Sequence, residues 1–330
     1  MEYRYLGKSG LQVSALSLGS WVTFGLQIGE QVAYDCMQAA YEAVVNFFDN
    51  AEAYARGESE IVMGKILKRS GWKRSDLVIS TKIFWGGKRP NDTGLSRKHL
   101  IEGIRASLAR LQLDYVDLIF CHRPDIYTPV EETVRAMNFI VNQGLAFYWG
   151  TSEWSADRIM EAYGIARREN LIPPLMEQPE YNMFSRQRVE REYAHLYREI
   201  GLGTTTFSPL AAGLLTGKYS QGTPEGSRIL LKGLDWLRED FESEEGRRKI
   251  EKAEELKPLA AELGCSLPQL ALAWCLKNPH ISTVITGASR PEQVIENMAS
   301  LDVVPLLTDE VMARIELILD NHPEPEEDYC

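Results

Sequence analysis

Residues 116–122 read VDLIFCH, a short apolar run that ends in a histidine. Two earlier runs have the same form: VVNFFD at 44–49 ends in an aspartate, and VISTK at 78–82 ends in a lysine. Short apolar runs of this kind are typical of strands that are buried on both faces. Parallel barrels carry their chemistry at the carboxyl ends of their strands. The three runs therefore predict a polar site that is built where neighbouring strands end.

Similar apolar runs alternate with amphipathic stretches along the chain. The candidate strands are residues 15–18, 46–49, 77–82, 116–121, 146–150, 175–178, 204–208 and 283–286. The candidate helices are near residues 31–43, 58–70, 96–112, 130–143, 155–169, 188–200, 247–263, 267–277 and 291–300. Most strands follow one another at about thirty to forty residues, which suits the helical crossover that parallel strands need. This α/β pattern predicts a closed (β/α)8 TIM barrel more than an open doubly wound sheet.

Three segments depart from the repeat. Residues 3–13 predict an N-terminal β-hairpin with a glycine-flanked turn. Residues 212–246 form a long connection with glycine and proline, of the kind that often covers a ligand. Extra helices are expected before the eighth strand and at the C-terminus. Because no segment inside the chain has a disordered composition, residues 1–330 are predicted to form one domain, with a loosely ordered acidic tail at about 322–330.

The composition excludes several classes of protein. Of the 330 residues, 44% are hydrophobic and 25% are charged, and the net charge of −11 argues against nucleic acid or an anionic membrane as the main partner. No apolar stretch approaches the ~20 residues of a membrane span, so no membrane insertion is expected. The five scattered cysteines form no CxxC pair. We therefore expect a cytoplasmic protein with reduced cysteines and without a metal site.

Four residues form the candidate catalytic set. Asp49, Lys82 and His122 end the second, third and fourth predicted strands, and Tyr54 follows Asp49 by five residues. Each residue alone has an ordinary explanation: a helix cap, a solvated lysine, a histidine bonded to the backbone or a packed tyrosine. Their joint placement at the ends of successive strands favours a shared site.

The chemistry of this set suits the reduction of a carbonyl group. A tyrosine with the ordinary pKa of about 10 is protonated at neutral pH and can donate its proton to a developing alkoxide. The ammonium group of Lys82, held by Asp49, is expected to lower the pKa of Tyr54. His122 would polarise or position the carbonyl oxygen. None of these side chains can supply a hydride, so a redox cofactor is required.

Longer strings of sequence carry a resemblance to a known family. They are NFFDNAEAY at 46–54, STKIFWGG at 80–87, GLSRKH at 94–99, EETVRAMN at 131–138, YWGTS at 148–152 and LPQLA at 267–271. From about residue 3 to about residue 320 the chain resembles the aldo-keto reductase superfamily, and within it the branch of the voltage-gated potassium channel β subunits. The resemblance implies a barrel that binds NADPH without a Rossmann domain, and it assigns the catalytic roles to Asp49, Tyr54, Lys82 and His122. Channel subunits are asparagine-like at the last position, so His122 favours an active reductase.

The resemblance also implies which residues bind NADPH or NADP+. They are Ser20, Trp21, Gln27, Asp49, Ser152, Gln178, Phe207, Ser208, Pro209, Leu210, Ala211, Gly213, Lys218, Arg228, Gly287, Ser289, Arg290, Gln293, Glu296 and Asn297. Ser152 and Gln178 would bind the nicotinamide carboxamide, and the turn at 208–213 would present backbone amides to the pyrophosphate. Glu153 replaces an arginine-like residue of the channel subunits. The substrate would contact Trp21, Tyr54, Trp85 and His122.

The segment after the eighth predicted strand carries the strongest physical signal for the cofactor. Ser289 is followed three residues later by Glu292, which predicts a capping box with Pro291 in the first turn. A helix N-terminus that also carries Arg290 suits a 2′-phosphate, which favours NADPH over NADH. An ordinary capped surface helix is the alternative interpretation.

Three functions are compatible with the sequence. The first is an NADPH-dependent reductase of aldehydes or ketones, with a small carbonyl compound as substrate. The second is a regulatory subunit that binds NADP(H) as a redox sensor; here the resemblance implies a potassium channel as partner and a homotetramer. A barrel that begins close to Met1 would leave no preceding segment to plug a pore. The third is a cofactor-free isomerase or aldolase, which rests only on Lys82 as a Schiff-base nucleophile.

Overall fold

The structure is a computed structural model of the chain, and it describes residues 1–220, 222–224, 227–231 and 233–324, without the side chain of Arg228. Within these residues the strands are β1 (Tyr3–Tyr5), β2 (Gln12–Ser14), β3 (Leu16–Gly19), β4 (Phe47–Asp49), β5 (Val78–Ile83), β6 (Val116–Cys121), β7 (Ala146–Ser152), β8 (Met176–Gln178), β9 (Gly203–Thr206) and β10 (Thr283–Thr286). Residues 325–330 of the acidic tail that was predicted to be loosely ordered lie outside the described residues.

The α-helices of the described part lie between and after these strands. They are α1 (Glu30–Glu42), α2 (Glu58–Ser70), α3 (Arg97–Leu111), α4 (Val130–Asn142), α5 (Ala156–Arg168), α6 (Ala194–Glu199), α7 (Asp235–Glu242), α8 (Glu244–Glu262), α9 (Leu267–Lys277), α10 (Pro291–Met298) and α11 (Asp309–Leu319). The order of strands and helices confirms the extra helices that were expected before the last strand and at the C-terminus.

Strands β3 to β10 close into a barrel in which each strand lies next to its neighbour in the sequence. The pairs are parallel, and β10 closes the barrel on β3 with Ile285 opposite Ser17. This arrangement confirms the predicted (β/α)8 barrel. The separate strands β1 and β2 form the predicted antiparallel hairpin, with Arg4 opposite Val13.

The barrel strands are apolar because both of their faces are covered. All six residues of β5 and all six of β6 are buried, as parallel strands enclosed by helices require. One core cluster joins the hairpin residues Leu6 and Val13 to barrel side chains that include Phe47, Leu118 and Met176. The hairpin therefore packs against the interior of the barrel and shields it from water.

The chain divides into two compact units. The first consists of Met1–Pro179, Glu192–Phe207 and His280–Ile295, and it contains the barrel strands. The second consists of Glu180–Arg191, Ser208–Pro279 and Glu296–Cys330, as far as these are described, and it contains α7, α8, α9 and α11. A division into compact units does not decide how many domains fold independently, so one domain over residues 1–330 stays a prediction.

Two segments differ from the prediction: a connection that contains a helix, and a predicted helix that is interrupted. Helix α7 lies inside residues 212–246, which were predicted as a connection without helix; Leu237 and Phe241 are one turn apart on it and both are buried. The predicted helix at 188–200 is interrupted, since a π-helical turn, Arg188–Glu192, precedes α6. Short helical segments of this kind have too few turns for a clear apolar period.

The predicted capping box at Ser289 is wrong. Helix α10 begins at Pro291, so the residue before the helix is Arg290 and not Ser289. Proline suits the first position of a helix because a backbone N–H group at that position would have no acceptor within the helix, and proline has no N–H group. The hydroxyl of Ser289 instead donates to Oε1 of Gln293 at 3.1 Å, and the Ser289 amide donates to the same oxygen at 2.8 Å.

The described part of the chain contains neither a single membrane-spanning helix nor a group of side chains that could hold a metal ion. No single helix there is long and apolar enough to cross a membrane. Helices α8 and α9, which are joined at a sharp bend, reach the length and apolar composition of a membrane span only when they are taken together. No three histidine, cysteine, aspartate or glutamate side chains among the described residues are grouped so that they could hold a metal ion. Cys36, Cys121, Cys265 and Cys275 are free thiols.

Candidate active site

Lys82 is the centre of the polar cluster at the carboxyl ends of the strands. It lies in β5 and is fully buried. Its Nζ atom donates to Oδ2 of Asp49 at 2.6 Å, to the main-chain oxygen of Asn50 at 2.9 Å and to the phenolic oxygen of Tyr54 at 2.9 Å. An ammonium group has three protons and accepts no hydrogen bond. Tyr54 is therefore the acceptor, and its own proton remains available to another group.

Asp49 closes β4 and is held by groups from two other strands. Its Oδ1 atom accepts hydrogen bonds from Ser80 Oγ at 2.7 Å and from Gln178 Nε2 at 3.1 Å, while Oδ2 accepts from Lys82. Ser80 and Lys82 lie in β5 and Gln178 closes β8. Because the carboxylate is fixed on both oxygens, it holds the Lys82 ammonium group in one position.

His122 follows β6 and lies beside the tyrosine. The centre of its ring is 5.7 Å from that of Tyr54 and 5.0 Å from that of Trp85, both in edge-to-face geometry. The Nδ1 atom of His122 is buried and has no hydrogen-bond partner within the described part of the chain. The structure thus brings the four predicted catalytic residues and Trp85 together.

Burial determines the pKa of Tyr54. The loss of solvent around the phenol raises this pKa above its ordinary value. The positive charge of Lys82 lowers the pKa, but by less than the loss of solvent raises it. Lys82 therefore acts on the pKa of Tyr54 in the predicted direction, and the loss of solvent around the phenol, which the sequence alone does not show, outweighs its effect. A neutral phenol is the form that can donate a proton.

The two nitrogen groups of the cluster respond to burial in different ways. Burial lowers the pKa of His122 well below its ordinary value, and the charges of Lys82 and Arg123 act in the same direction. Burial would also lower the pKa of Lys82, but the charge of Asp49 and the contact with Tyr54 together raise it. At neutral pH the cluster therefore contains a neutral imidazole beside a charged ammonium group.

The backbone around Tyr54 is irregular. Tyr54 begins a short 3₁₀ turn, Tyr54–Gly57, in which Ala55 and Arg56 have φ angles of 50° and 57°. Residues with a side chain rarely adopt positive φ angles, and where they do so beside a polar cluster the strain often accompanies function. This turn connects β4 to α2 and directs the phenol toward Lys82.

Several residues that the resemblance assigns to the cofactor lie close to this cluster. The Ser20 hydroxyl donates to the main-chain oxygen of Asp49 at 3.0 Å, and the Ser152 hydroxyl donates to that of Gln178 at 2.8 Å. The amide nitrogen of Gln178 is engaged with Asp49 and Thr205. Its side-chain carbonyl oxygen accepts no hydrogen bond from a described residue, so it can accept one from a ligand.

Other residues of the first unit present exposed surfaces. Trp21 is 37% exposed and Trp85 43% exposed. Arg290 is exposed, and its side chain makes no hydrogen bond or ion pair with any residue that the structure describes. The glycine Gly287 has open space where a Cβ atom would lie. For Gln27 the described contacts are those of the backbone, with its amide donating to Val22 and Thr23.

The remaining residues assigned to the cofactor lie in the second unit: Ser208, Pro209, Leu210, Ala211, Gly213, Lys218, Arg228, Glu296 and Asn297. In the turn at 208–213 the amide of Ala211 donates to Ser208 at 2.9 Å, and that of Gly213 donates to Leu210 at 2.8 Å. Both amide protons are therefore used within the turn rather than offered to a pyrophosphate. Glu296 accepts a hydrogen bond from Ser266 at 3.2 Å. The cofactor roles of this group stay predictions.

Sequence reasoning missed one residue of the cluster, Arg123. Its Nη1 atom donates to the main-chain oxygen of His122 at 2.6 Å and to Ser152 Oγ at 3.2 Å. Its guanidinium carbon lies 5.7 Å from the ring centre of Trp85 and 6.0 Å from that of Phe207. The signal that could have found it is its place directly after His122, where a parallel strand ends.

The barrel and its Asp–Lys–Tyr cluster with an adjacent histidine define the class of the protein. The sequence model of the aldo/keto reductase family matches residues 15–320, and the chain belongs to this family. It is also 55% identical over 330 residues to a protein of Oryza sativa subsp. japonica described as a probable voltage-gated potassium channel subunit beta, with 100% of each chain covered. The family and this relative confirm the resemblance that the sequence strings indicated.

Proposed function

We propose that the protein is an NADPH-dependent oxidoreductase that reduces aldehyde or ketone groups to alcohols. The observation that carries the proposal is the contact between Lys82 and Tyr54: the ammonium group donates to the phenolic oxygen at 2.9 Å, which leaves the phenolic proton for a substrate. Membership of the aldo/keto reductase family supports the same class of reaction.

The side chains of the cluster divide the work of proton transfer. Tyr54 donates its proton to the carbonyl oxygen as negative charge develops there. Lys82 stabilises the phenolate that remains, since its ammonium group already lies against the phenolic oxygen. Asp49 keeps Lys82 in place and Ser80 fixes the carboxylate. His122, neutral because of its burial, orients the carbonyl oxygen by hydrogen bonding.

The residues present suit a nicotinamide cofactor. The side-chain oxygen of Gln178, which accepts no hydrogen bond from a described residue, matches the amide hydrogens of a carboxamide, and the Gln178 amide lies in the same network as Asp49. Arg290, exposed before the first residue of α10, is a cation to which a 2′-phosphate could bind. NADPH, when bound, supplies the hydride for the carbonyl carbon, so that the carbonyl becomes an alcohol and the cofactor becomes NADP+.

The direct test uses the purified protein with NADPH and two carbonyl compounds, 4-nitrobenzaldehyde and methylglyoxal. We expect the absorbance of NADPH to decrease only when a carbonyl compound is added. NADPH should also bind without substrate, which quenching of protein fluorescence reports. A protein that binds no NADPH and oxidises none with either compound would contradict the proposal.

A regulatory role is the second candidate function, and the 55% identity to the probable channel subunit motivates it. In this role the protein would bind NADP(H), associate as a homotetramer and attach to the cytoplasmic part of a potassium channel. The two roles are compatible, because slow reduction and redox sensing can use one cofactor. Co-purification with a channel would support it, and rapid turnover with no channel partner would weigh against it.

A further inference from the structure

Arg123 is positioned by two hydrogen bonds at the ends of neighbouring strands. It follows His122, which comes directly after β6, and it reaches the hydroxyl of Ser152, the last residue of β7. Only its Nη1 atom takes part in these bonds. The Nε and Nη2 groups donate to no residue that the structure describes. One edge of the guanidinium group is therefore fixed, and the other N–H groups can bind a ligand.

Aromatic side chains border the same guanidinium group. Trp85 and Phe207 lie 5.7 Å and 6.0 Å from its central carbon, within the range of cation–π contact. Trp85 also contacts the ring of His122, whose centre is 5.0 Å away, and His122 contacts Tyr54. Arg123 therefore lies within a few side chains of the proton donor, beside the surface that a substrate would occupy.

Arg123 differs from comparable arginines in having no carboxylate partner. Arg74 and Arg110 are also half-buried, and each forms an ion pair at 2.6 Å, with Asp117 and with Glu60. No carboxylate of the described residues lies within ion-pair distance of Arg123. A half-buried charge is costly unless it is paired, and the net charge of the chain is −11. A half-buried cation with no carboxylate partner in the described part of so acidic a protein indicates that its counter-ion is a ligand.

We propose that Arg123 binds an anionic group of the substrate, so that the protein prefers aldehydes and ketones that carry a carboxylate or a phosphate. This inference rests on the proposed reductase function and narrows its substrate class. The guanidinium group would hold the anion through its Nε and Nη2 hydrogens, in the two-point geometry that suits both kinds of anion. The carbonyl group would then lie toward His122 and Tyr54. The hydride and proton transfers to the carbonyl group are the same as those described under the proposed function.

The test compares substrates that differ in charge. They are 4-nitrobenzaldehyde, 4-carboxybenzaldehyde and 4-formylphenyl phosphate, each reduced with NADPH by the wild type, Arg123→Gln and Arg123→Lys. We expect Arg123→Gln to lower kcat/KM for the anionic substrates by roughly ten- to a hundredfold more than for 4-nitrobenzaldehyde, mostly through KM. Arg123→Lys should retain part of the preference, because it keeps the charge. The larger loss identifies carboxylate or phosphate as the preferred anion.

Arg97→Gln is the matched control. Its guanidinium also lies over an aromatic ring, that of Phe139 at 5.0 Å, and the substitution removes the same charge from the protein. We expect it to leave the ratio between anionic and neutral substrates unchanged. Equal losses for all three substrates in Arg123→Gln, or an equal change of the ratio in Arg97→Gln, would overturn the inference.

Binding separates this inference from the proposed function. Calorimetric titration of the protein with NADP+ present should show that benzoate binds more tightly than benzamide, and that Arg123→Gln removes the difference. This binding measurement does not depend on catalysis. If the protein reduces no aldehyde, the proposed function fails, but the binding of benzoate still decides the role of Arg123. Equal affinity of the protein for benzoate and benzamide would contradict the inference. So would a matching loss of NADPH affinity in Arg123→Gln, because the anion would then belong to the cofactor.

Discussion

The ammonium group of Lys82 and the carboxylate of Asp49 form a fully buried ion pair, with Nζ and Oδ2 2.6 Å apart. Removing one partner of such a pair leaves the other as an uncompensated buried charge. The pair therefore has two consequences, one for the stability of the barrel and one for the acidity of the neighbouring phenol.

The replacement Lys82→Met tests the consequence for stability. We expect it to lower the free energy of unfolding by about 3–5 kcal/mol, because Asp49 is left charged and buried. The double variant Asp49→Asn with Lys82→Met should recover part of this loss, while reductase activity stays low in both. Urea denaturation followed by circular dichroism measures the stability. A double variant as unstable as Lys82→Met alone would contradict the role of the ion pair.

His122 makes stability depend on pH in a defined range. Its pKa in the folded protein lies well below the ordinary value, whereas in the unfolded chain it is about 6.5. As the pH falls below about 6.5, His122 is therefore protonated in the unfolded chain while it stays neutral in the folded protein. The free energy of unfolding decreases with falling pH over this range, until the pH reaches the pKa of His122 in the folded protein. Above that range His122 contributes no pH dependence.

We expect the substitution His122→Asn to remove this contribution, so that the variant loses less stability than the wild type over the same acidic range. Denaturant midpoints measured at a series of pH values on either side of the unfolded-state pKa provide the comparison. Parallel curves for the two proteins would show that His122 is not held neutral by burial.

Arg290 should distinguish the two nicotinamide cofactors. In Arg290→Gln we expect the Kd for NADPH to rise roughly tenfold, since one charged hydrogen-bonding group is lost, while the Kd for NADH stays as it is. Fluorescence titration of both cofactors gives these constants. An equal rise for NADH would place Arg290 against a part of the cofactor that the two molecules share.

Gly150 tests the packing of the barrel itself. A Cβ atom at this position of β7 would lie 2.1 Å from the main-chain oxygen of Met176, so Gly150→Ala must separate two paired strands. We expect a loss of about 1–3 kcal/mol or more, as for other overpacked sites. A Cβ atom at Gly164 in α5 would meet no described atom within 4 Å outside the adjacent turns of its own helix, so Gly164→Ala should instead be neutral or stabilise by up to about 1 kcal/mol. Thermal denaturation compares the two variants.

The sequence predicted the barrel and much of the cluster for one physical reason. Buried parallel strands are continuous apolar runs, so the polar residue that ends each run is conspicuous, and Asp49, Lys82 and His122 are found this way. The same pattern predicted all eight barrel strands, with ends that differ from those in the structure by at most two residues.

Other features depend on contacts that no local pattern carries. Gln178 bonds to Asp49 across 129 positions of the chain, and only the closed barrel places them together. The pKa of Tyr54 depends on how deeply the phenol is buried, which outweighs the neighbouring charge. Arg123 precedes a proline in the sequence, and only the placement of the surrounding residues shows that no described carboxylate lies beside it.

The most direct measurement is the single-turnover rate of 4-nitrobenzaldehyde reduction by NADPH-loaded protein, compared between the wild type and Tyr54→Phe. If Tyr54 donates the proton, the rate in Tyr54→Phe falls by about 10²–10⁴-fold while the Kd for NADPH is unchanged. A rate that survives the loss of the phenolic hydroxyl would contradict the assignment of Tyr54 as the proton donor.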